Sequence, residues 1–203
     1  MKELFSMTNS TQTSTSLAQT ILVGGMSEAG LSTMHKIALV IGGSVLLALS
    51  AHIKVPFYPV PVTMQTMLVL LIGMAYGSRL GFATILAYLA QGAVGLPVFA
   101  GGAGLAYMAG PTGGYLFGFA VSAFLVGMMA EKGWGKSYQS TALAMVIGNI
   151  VIYAFGVTWL SSIIGSFDKA IQFGLMPFIY GDLLKIVIAT TALPVAWKYL
   201  PKA

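Results

Sequence analysis

The segment from Phe178 to Trp197 reads FIYGDLLKIVIATTALPVAW and decides the class of fold. It is long enough to cross a bilayer as a helix, which takes about 20 predominantly apolar residues. Asp182 and Lys185 are the only charged residues in it. An ionisable side chain at membrane depth costs at least about 2.5 kcal/mol on insertion scales, so it is expected to face a cavity or a partner. The segment therefore predicts a membrane helix with a polar site on its inner face.

The spacing of Asp182 and Lys185 places both side chains on one helix face, because residues three apart are neighbours on a helix surface. An acceptor and a cation side by side can bind one polar ligand together. The alternative is a self-neutralising pair that only allows the helix to insert. The sequence leaves both interpretations open.

The rest of the chain has the composition of an all-α integral membrane protein. Of its 203 residues, 57% are hydrophobic and 7% are charged, and the mean hydropathy is +0.88. The net charge of +5 is too small and too scattered for nucleic-acid binding. The chain contains no cysteine, which excludes disulfides and thiolate metal sites. His35 and His52 are predicted to lie at the membrane interface, so no metal site is expected.

Six transmembrane helices are predicted from the apolar segments, at about 37–53, 63–76, 80–94, 115–130, 141–164 and 174–197. Residues 1–34 are rich in Ser, Thr and Gln and are predicted to be a flexible polar leader, which leaves 35–203 as the transmembrane domain.

Lysine and arginine set the predicted orientation, since they are enriched in cytoplasmic loops. Lys36, Arg79, Lys132, Lys136, Lys198 and Lys202 fall on one side, against Lys54 and Lys169 on the other. The sequence therefore predicts a multi-pass protein of the cytoplasmic (inner) membrane with both termini in the cytoplasm.

Two loops on the predicted outer side are apolar rather than polar. Residues 55–62 read VPFYPVPV and cannot be helical, because closely spaced prolines remove backbone donors and clash with preceding carbonyls. Residues 95–114 read GLPVFAGGAGLAYMAGPTGG. Irregular backbone at membrane depth is tolerated only where protein or water covers it. We therefore expect a lid over an outward-facing pocket, with ordinary connecting loops as the alternative.

Small residues and isolated polar residues mark further candidates. Ala38 and Gly42 are four apart on the first span, a spacing that lets helices approach closely and predicts either a docking face for another subunit or internal packing. Gln65 lies at the outer mouth of the second span. Asn149, Tyr153 and Tyr180 lie within apolar segments, where each alone is more often an interhelical hydrogen bond than a ligand contact.

Four stretches together resemble the BioY family, the biotin-specific substrate-capture (S) components of energy-coupling-factor (ECF) transporters. They are VPFYPVPVTMQT at 55–66, GLPVFAGG at 95–102, GPTGGYLFGF at 110–119 and GDLLK at 181–185. The resemblance implies a six-helix S-component fold with an outward-facing biotin pocket. It also implies a membrane coupling (T) subunit and two cytoplasmic ATPase subunits as partners. ATP would be used by those ATPases, and no cofactor is expected on this chain.

The resemblance also implies site residues. Asp182 and Lys185 match the acidic and basic residues expected to line the pocket, and Gln65 matches the polar residue after the proline-rich loop. Phe99, Tyr107 and Tyr180 are candidates for the apolar walls, and Asn149 for a further polar contact. The partner of the biotin carboxylate stays open between Lys185, Tyr107 and a backbone amide.

Two other functions remain as alternatives. One is an autonomous membrane carrier for a small solute, although no convincing internal repeat of the kind found in such carriers is present. The other is an intramembrane enzyme using Asp182 and Lys185 for acid–base chemistry, but no nucleophile or metal motif accompanies them. The sequence therefore favours ligand capture without catalysis.

Overall fold

The computed structural model describes residues 31–199, and eight helices make up most of them. They are α1 Thr33–His52, α2 Gln65–Tyr76, α3 Ser78–Ala93, α4 Gly104–Met108, α5 Gly113–Glu131, α6 Tyr138–Ile164, α7 Phe167–Gly174 and α8 Met176–Tyr199. A 3₁₀ turn covers Trp134–Lys136, and two short strands, β1 Lys54–Val55 and β2 Val62–Thr63, pair antiparallel. The predicted all-α class is confirmed. The predicted leader lies almost entirely outside the described residues.

Four helices, α1, α5, α6 and α8, are long and apolar enough to cross a membrane. They coincide with the first, fourth, fifth and sixth predicted spans. The second and third predicted spans correspond to shorter helices, α2 with 12 residues and α3 with 16. At about 1.5 Å per residue, α2 extends roughly 18 Å, well short of a hydrocarbon core of about 30 Å. The structure therefore has the architecture of a multi-pass membrane protein, with four helices of full spanning length among residues 31–199.

The two predicted outer loops differ in structure. Residues 54–63 form the β1–β2 hairpin, with Lys54 opposite Thr63 and Val55 opposite Val62, so the expected absence of helix is confirmed there. The second loop is not wholly irregular, because α4 forms inside it at Gly104–Met108. The amphipathic helix α7 was also not predicted. Both helices are too short to give a periodic pattern that the sequence could reveal.

Helices α5 and α6 pack closely because small residues stand at their contact. A Cβ at Gly118 would lie 3.0 Å from the Cα of Ile152, and one at Gly114 would lie 2.5 Å from the carbonyl oxygen of Phe155. This is the internal use of fourfold spacing between small residues. Ala38 and Gly42 on α1 differ, since both are exposed and a Cβ at Gly42 would meet nothing within 4 Å.

The α2–α3 corner is fixed by a side chain from α5. Gly77 adopts a φ of 85°, which favours glycine, and it ends α2 and begins α3. The Glu131 carboxylate accepts hydrogen bonds from the Ser78 backbone N–H at 2.6 Å and from the Ser78 hydroxyl at 2.7 Å. A carboxylate at a helix N-terminus is favourable because the first N–H groups there are unpaired. The corner therefore keeps α2 and α3 side by side.

Candidate functional site

Asp182 and Lys185 form a buried ion pair on α8. The Lys185 Nζ lies 2.8 Å from the Asp182 Oδ1, and Lys185 and Asp182 are 6% and 4% exposed. Lys185 also donates to the Thr63 carbonyl at 2.7 Å and to the Thr66 hydroxyl at 3.0 Å. These contacts use all three N–H groups of the ammonium. Between residues 31 and 199 this is the only ion pair.

Two hydroxyl groups complete the bonding of the Asp182 carboxylate. Thr66, on α2, donates to Oδ1 at 3.1 Å, and Tyr153, on α6, donates to Oδ2. The pair is therefore held by α2, α6 and α8 together. Such full satisfaction is what allows charges to persist in an apolar interior, since an unpaired buried charge is strongly destabilising.

A cavity lies in front of this network, and we call it the inner cavity. Thr63, Gln65, Thr66, Thr112 and Tyr153 supply its polar lining, and Phe99, Tyr107, Tyr115, Phe119 and Phe178 supply its aromatic lining. Asp182 and Lys185 do not line it. They stand directly behind Thr66 and Tyr153, which separate the charges from the cavity.

Gln65 is oriented by a chain of hydrogen bonds. Its Nε2 donates to the Tyr88 hydroxyl at 2.7 Å, and that hydroxyl donates to the Val98 carbonyl at 3.0 Å. Because Gln65 donates through its Nε2 to Tyr88, its Oε1 is left with only one long hydrogen bond, from the Thr63 hydroxyl at 3.4 Å. A lining residue with a buried and weakly bonded acceptor is suited to receive an N–H group from a ligand.

Aromatic rings form a further part of the lining of the inner cavity. Phe99 stacks on Tyr107 with ring centroids 5.2 Å apart and meets the edge of Tyr88 at 5.4 Å. Gly92 makes this arrangement possible, because a Cβ there would lie 1.9 Å from the Phe99 ring. The wall is therefore apolar, with its position set by α3 and by the loop that holds α4.

A second cavity, farther from the ion pair and here called the outer cavity, continues the first. Both are lined by Pro61, Ala100, Tyr107 and Thr112. The outer cavity has a volume of about 440 Å³, and the inner cavity has a volume of about 40 Å³. One water occupies roughly 10–15 Å³ on that measure, so the inner cavity has room for a few waters only. A larger group therefore requires lining side chains to shift.

The structure brings together some of the predicted site residues and separates others. Gln65, Phe99 and Tyr107 line the inner cavity, and Asp182 and Lys185 back it. Tyr180 is 83% exposed and lines neither cavity. Asn149 is buried beside Lys185 at a separate small cavity between α2, α6 and α8, where its Oδ1 has no partner.

Several residues that the structure places at the site were not predicted from the sequence. Thr66 and Tyr88 were not singled out, and Tyr153 was noted only as a polar residue in an apolar span. Tyr88 carries a polar atom inside the third span, which was the one feature that could have marked it. Residues 31–199 hold no group of three or more His, Cys, Asp or Glu side chains able to bind a metal ion.

Comparison with known proteins identifies the family. The model of the BioY family matches residues 18–202, which includes part of the predicted leader. The probable biotin transporter BioY of Pyrococcus horikoshii is 42% identical over 145 residues, covering 71% of this chain and 85% of the relative. The biotin transporter BioY of Thermotoga maritima is 42% identical over 147 residues, with the same coverage of 71% and 85%.

A solved structure shows the same fold. It is a crystal structure at 2.1 Å of the S-component for biotin from an ECF-type ABC transporter, with a TM-score of 0.64. It is 23% identical in sequence, and the match covers 83% of this chain and 95% of that one. The family match spans most of the chain, and the relatives are similar over most of their own length. The chain belongs to the BioY family.

Proposed function

We propose that this chain binds biotin in the inner cavity and serves as the substrate-specific membrane subunit of an ECF-type transporter for biotin uptake. The observation that carries the proposal is the polar lining of Gln65, Thr66 and Tyr153, backed by a buried ion pair within apolar helices. Family membership and the names of the relatives support it. A protein of this family is a transporter subunit rather than an enzyme.

The chemistry of biotin matches the two sides of the inner cavity. Its ureido ring offers two N–H donors and one carbonyl acceptor, and its sulfur ring is apolar. The Gln65 Oε1 can accept one ureido N–H. The second ureido N–H can donate to the Asp182 carboxylate in place of the Tyr153 or Thr66 hydroxyl. The carboxylate then exchanges one hydrogen-bond donor for another. Phe99 and Tyr107 would cover the sulfur ring.

Such a site would be selective, because a ligand that lacks the matching groups leaves buried polar atoms unpaired. The narrow inner cavity indicates that ligand entry moves the stacked Phe99 and Tyr107 rings. Both residues belong to the region between α3 and α5, where the only helix is the five-residue α4. Closure of that loop over biotin would complete the pocket.

We infer that α2 and α3 also cross the bilayer, giving six spans, with local thinning or tilt to offset their length. The cavities lie at the end of the bundle that carries the β1–β2 hairpin. The distribution of lysine and arginine supports placing that end outside, with an outward-facing pocket and cytoplasmic termini in the inner membrane.

The partners proposed are a membrane T subunit and two cytoplasmic ATPase subunits, which would consume the ATP. Ala38 and Gly42 are proposed as part of the docking face, because both are exposed on α1 and a Cβ at Gly42 meets no other part of the described chain within 4 Å. Biotin uptake by this chain without any ATPase would favour the autonomous carrier instead.

Isothermal titration of the purified, detergent-solubilised protein with biotin tests the proposal. We expect saturable binding near one biotin per chain. Desthiobiotin keeps the ureido ring but lacks the sulfur, so it should bind more weakly through lost contact with the aromatic wall. A folded protein that binds no biotin at high micromolar concentration would overturn the assignment.

A further inference from the structure

Lys54 stands at the rim of the outer cavity in a position fixed by the hairpin. It lies opposite Thr63 in the β1–β2 ladder, and Thr63 lines the inner cavity and accepts a hydrogen bond from Lys185. The Lys54 side chain lines the outer cavity and donates to the carbonyl of Ala100, a residue shared by both cavities. The same short ladder thus connects this lysine to the polar end of the site.

Lys54 is also the only formally charged side chain among the described residues that line either cavity. The Asp182–Lys185 pair behind the inner cavity neutralises itself. Because that pair is the sole ion pair within the described part of the chain, Lys54 has no carboxylate partner there. Its hydrogen bond to a neutral carbonyl leaves the charge uncompensated. An anionic group entering the outer cavity would meet one available cation.

The two cavities suit different ends of one ligand. The inner cavity offers amide and hydroxyl groups, which match a neutral polar ring, and it adjoins the outer cavity through the residues that the two share. A ligand that enters with its ring first leaves its chain in the outer cavity. We propose that Lys54 binds the carboxylate at the end of that chain and selects for acids over their neutral derivatives. This inference rests on the proposed function.

The test compares biotin with biotinamide, in which the carboxylate is replaced by a neutral amide on the same chain. In the wild-type protein biotin should bind more tightly than biotinamide. Lys54→Gln should weaken biotin roughly three- to tenfold, the range expected for a charge-assisted contact that is partly screened by solvent, and should leave biotinamide unchanged. Lys54→Arg should keep most of the preference for biotin. Added salt should weaken biotin binding in the wild type but not in Lys54→Gln.

Lys169→Gln is the matched control, because Lys169 lies on α7, on the same predicted side of the membrane, and lines neither cavity. It should bind both ligands as the wild type does. Equal affinity of wild type and Lys54→Gln for biotin would overturn the inference, as would an equal loss for both ligands, which would show a structural role. Wild-type protein that binds biotin and biotinamide equally would overturn it while leaving the proposed function intact. Wild-type protein that binds neither ligand would overturn both.

Discussion

The two sides of the inner cavity are built in different ways. One side, which we call the polar floor, consists of the lining residues Gln65, Thr66 and Tyr153 with the Asp182–Lys185 pair behind them, and it is carried by α2, α6 and α8. The other side, which we call the aromatic wall, consists of Phe99 and Tyr107, in and beside the short helix α4. The floor is held by hydrogen bonds between α2, α6 and α8 and by an ion pair within α8. The wall is held by ring stacking in a loop.

The polar floor and the aromatic wall therefore differ in how much free energy it costs to move them. Breaking a buried ion pair by removing one partner costs about 3–5 kcal/mol, so the floor is fixed in geometry. A pair of stacked aromatic rings contributes only about 0.5–1.5 kcal/mol beyond the area that it buries. In the proposed function, the wall therefore moves to admit biotin while the floor keeps its geometry and recognises it.

The largest expected effect comes from breaking the floor. Asp182→Asn keeps the shape of the side chain but leaves the Lys185 ammonium buried without a counter-charge. We expect a loss of about 3 kcal/mol in stability and at least roughly a hundredfold loss in biotin affinity. Thermal unfolding in detergent and calorimetric titration measure the two effects. Asp168→Asn, at an exposed position on α7, is the control and should change stability by less than about 0.5 kcal/mol.

A smaller effect is expected where the floor has no formal charge. Gln65→Leu removes the acceptor that faces the cavity and leaves the Tyr88 hydroxyl without its donor. Biotin affinity should fall roughly tenfold or more, with about 1 kcal/mol lost in stability. Tyr88→Phe keeps the Gln65 acceptor but releases its orientation, so its affinity should fall less. A larger loss in Tyr88→Phe than in Gln65→Leu would contradict the assigned role of Gln65.

The aromatic wall can be displaced by one methyl group. Gly92→Ala places a Cβ 1.9 Å from the Phe99 ring, so the ring must move. Overpacking of this kind costs about 1–3 kcal/mol. We expect lower stability and a several-fold loss of biotin affinity, both measured in detergent. Gly42→Ala is the control, since a Cβ there meets nothing within 4 Å, so biotin affinity should not change and stability should not fall.

The smallest effect is expected at Tyr180. Its side chain is 83% exposed and lines neither cavity, so Tyr180→Ala should change biotin affinity by less than about twofold. Titration calorimetry with biotin on Tyr180→Ala and on Gln65→Leu compares the two losses of affinity directly. A large loss in Tyr180→Ala would show that the biotin-bound site extends beyond the inner and outer cavities.

Within the floor, the sequence could single out Asp182 and Lys185, because a charge at membrane depth needs a reason to be there. Tyr180 shows the limit of that reasoning. It lies two residues from Asp182, about 200° around a helix of 3.6 residues per turn, and therefore points away from it. Phe178, one turn before Asp182, shares its face and lines the inner cavity. Helical spacing alone is enough to prefer Phe178 over Tyr180 as a lining residue.

The contacts of Thr66 and Tyr153 with Asp182 could not be predicted in the same way. They join residues 116 and 29 positions apart, and only the packing of α2 and α6 against α8 brings them together. The start of α2 was placed two residues too early, at 63, because apolar composition continues from the hairpin into the helix. Helix α3 begins at Ser78 and ends at Ala93, where the sequence predicted 80 and 94. Lys54 entered the sequence analysis only as one of the charges that set the orientation in the membrane. Nothing in the sequence around it indicates a cavity.

The central claim is that the buried pair belongs to the ligand site and is not merely a means of inserting α8. The double variant Asp182→Asn/Lys185→Met removes both charges together and avoids leaving either one unpaired, so it should fold. Calorimetric titration of this variant with biotin is the most direct test. We predict a folded protein without measurable biotin binding. A folded double variant that binds biotin with wild-type affinity would contradict the claim and show that the pair serves only the helix.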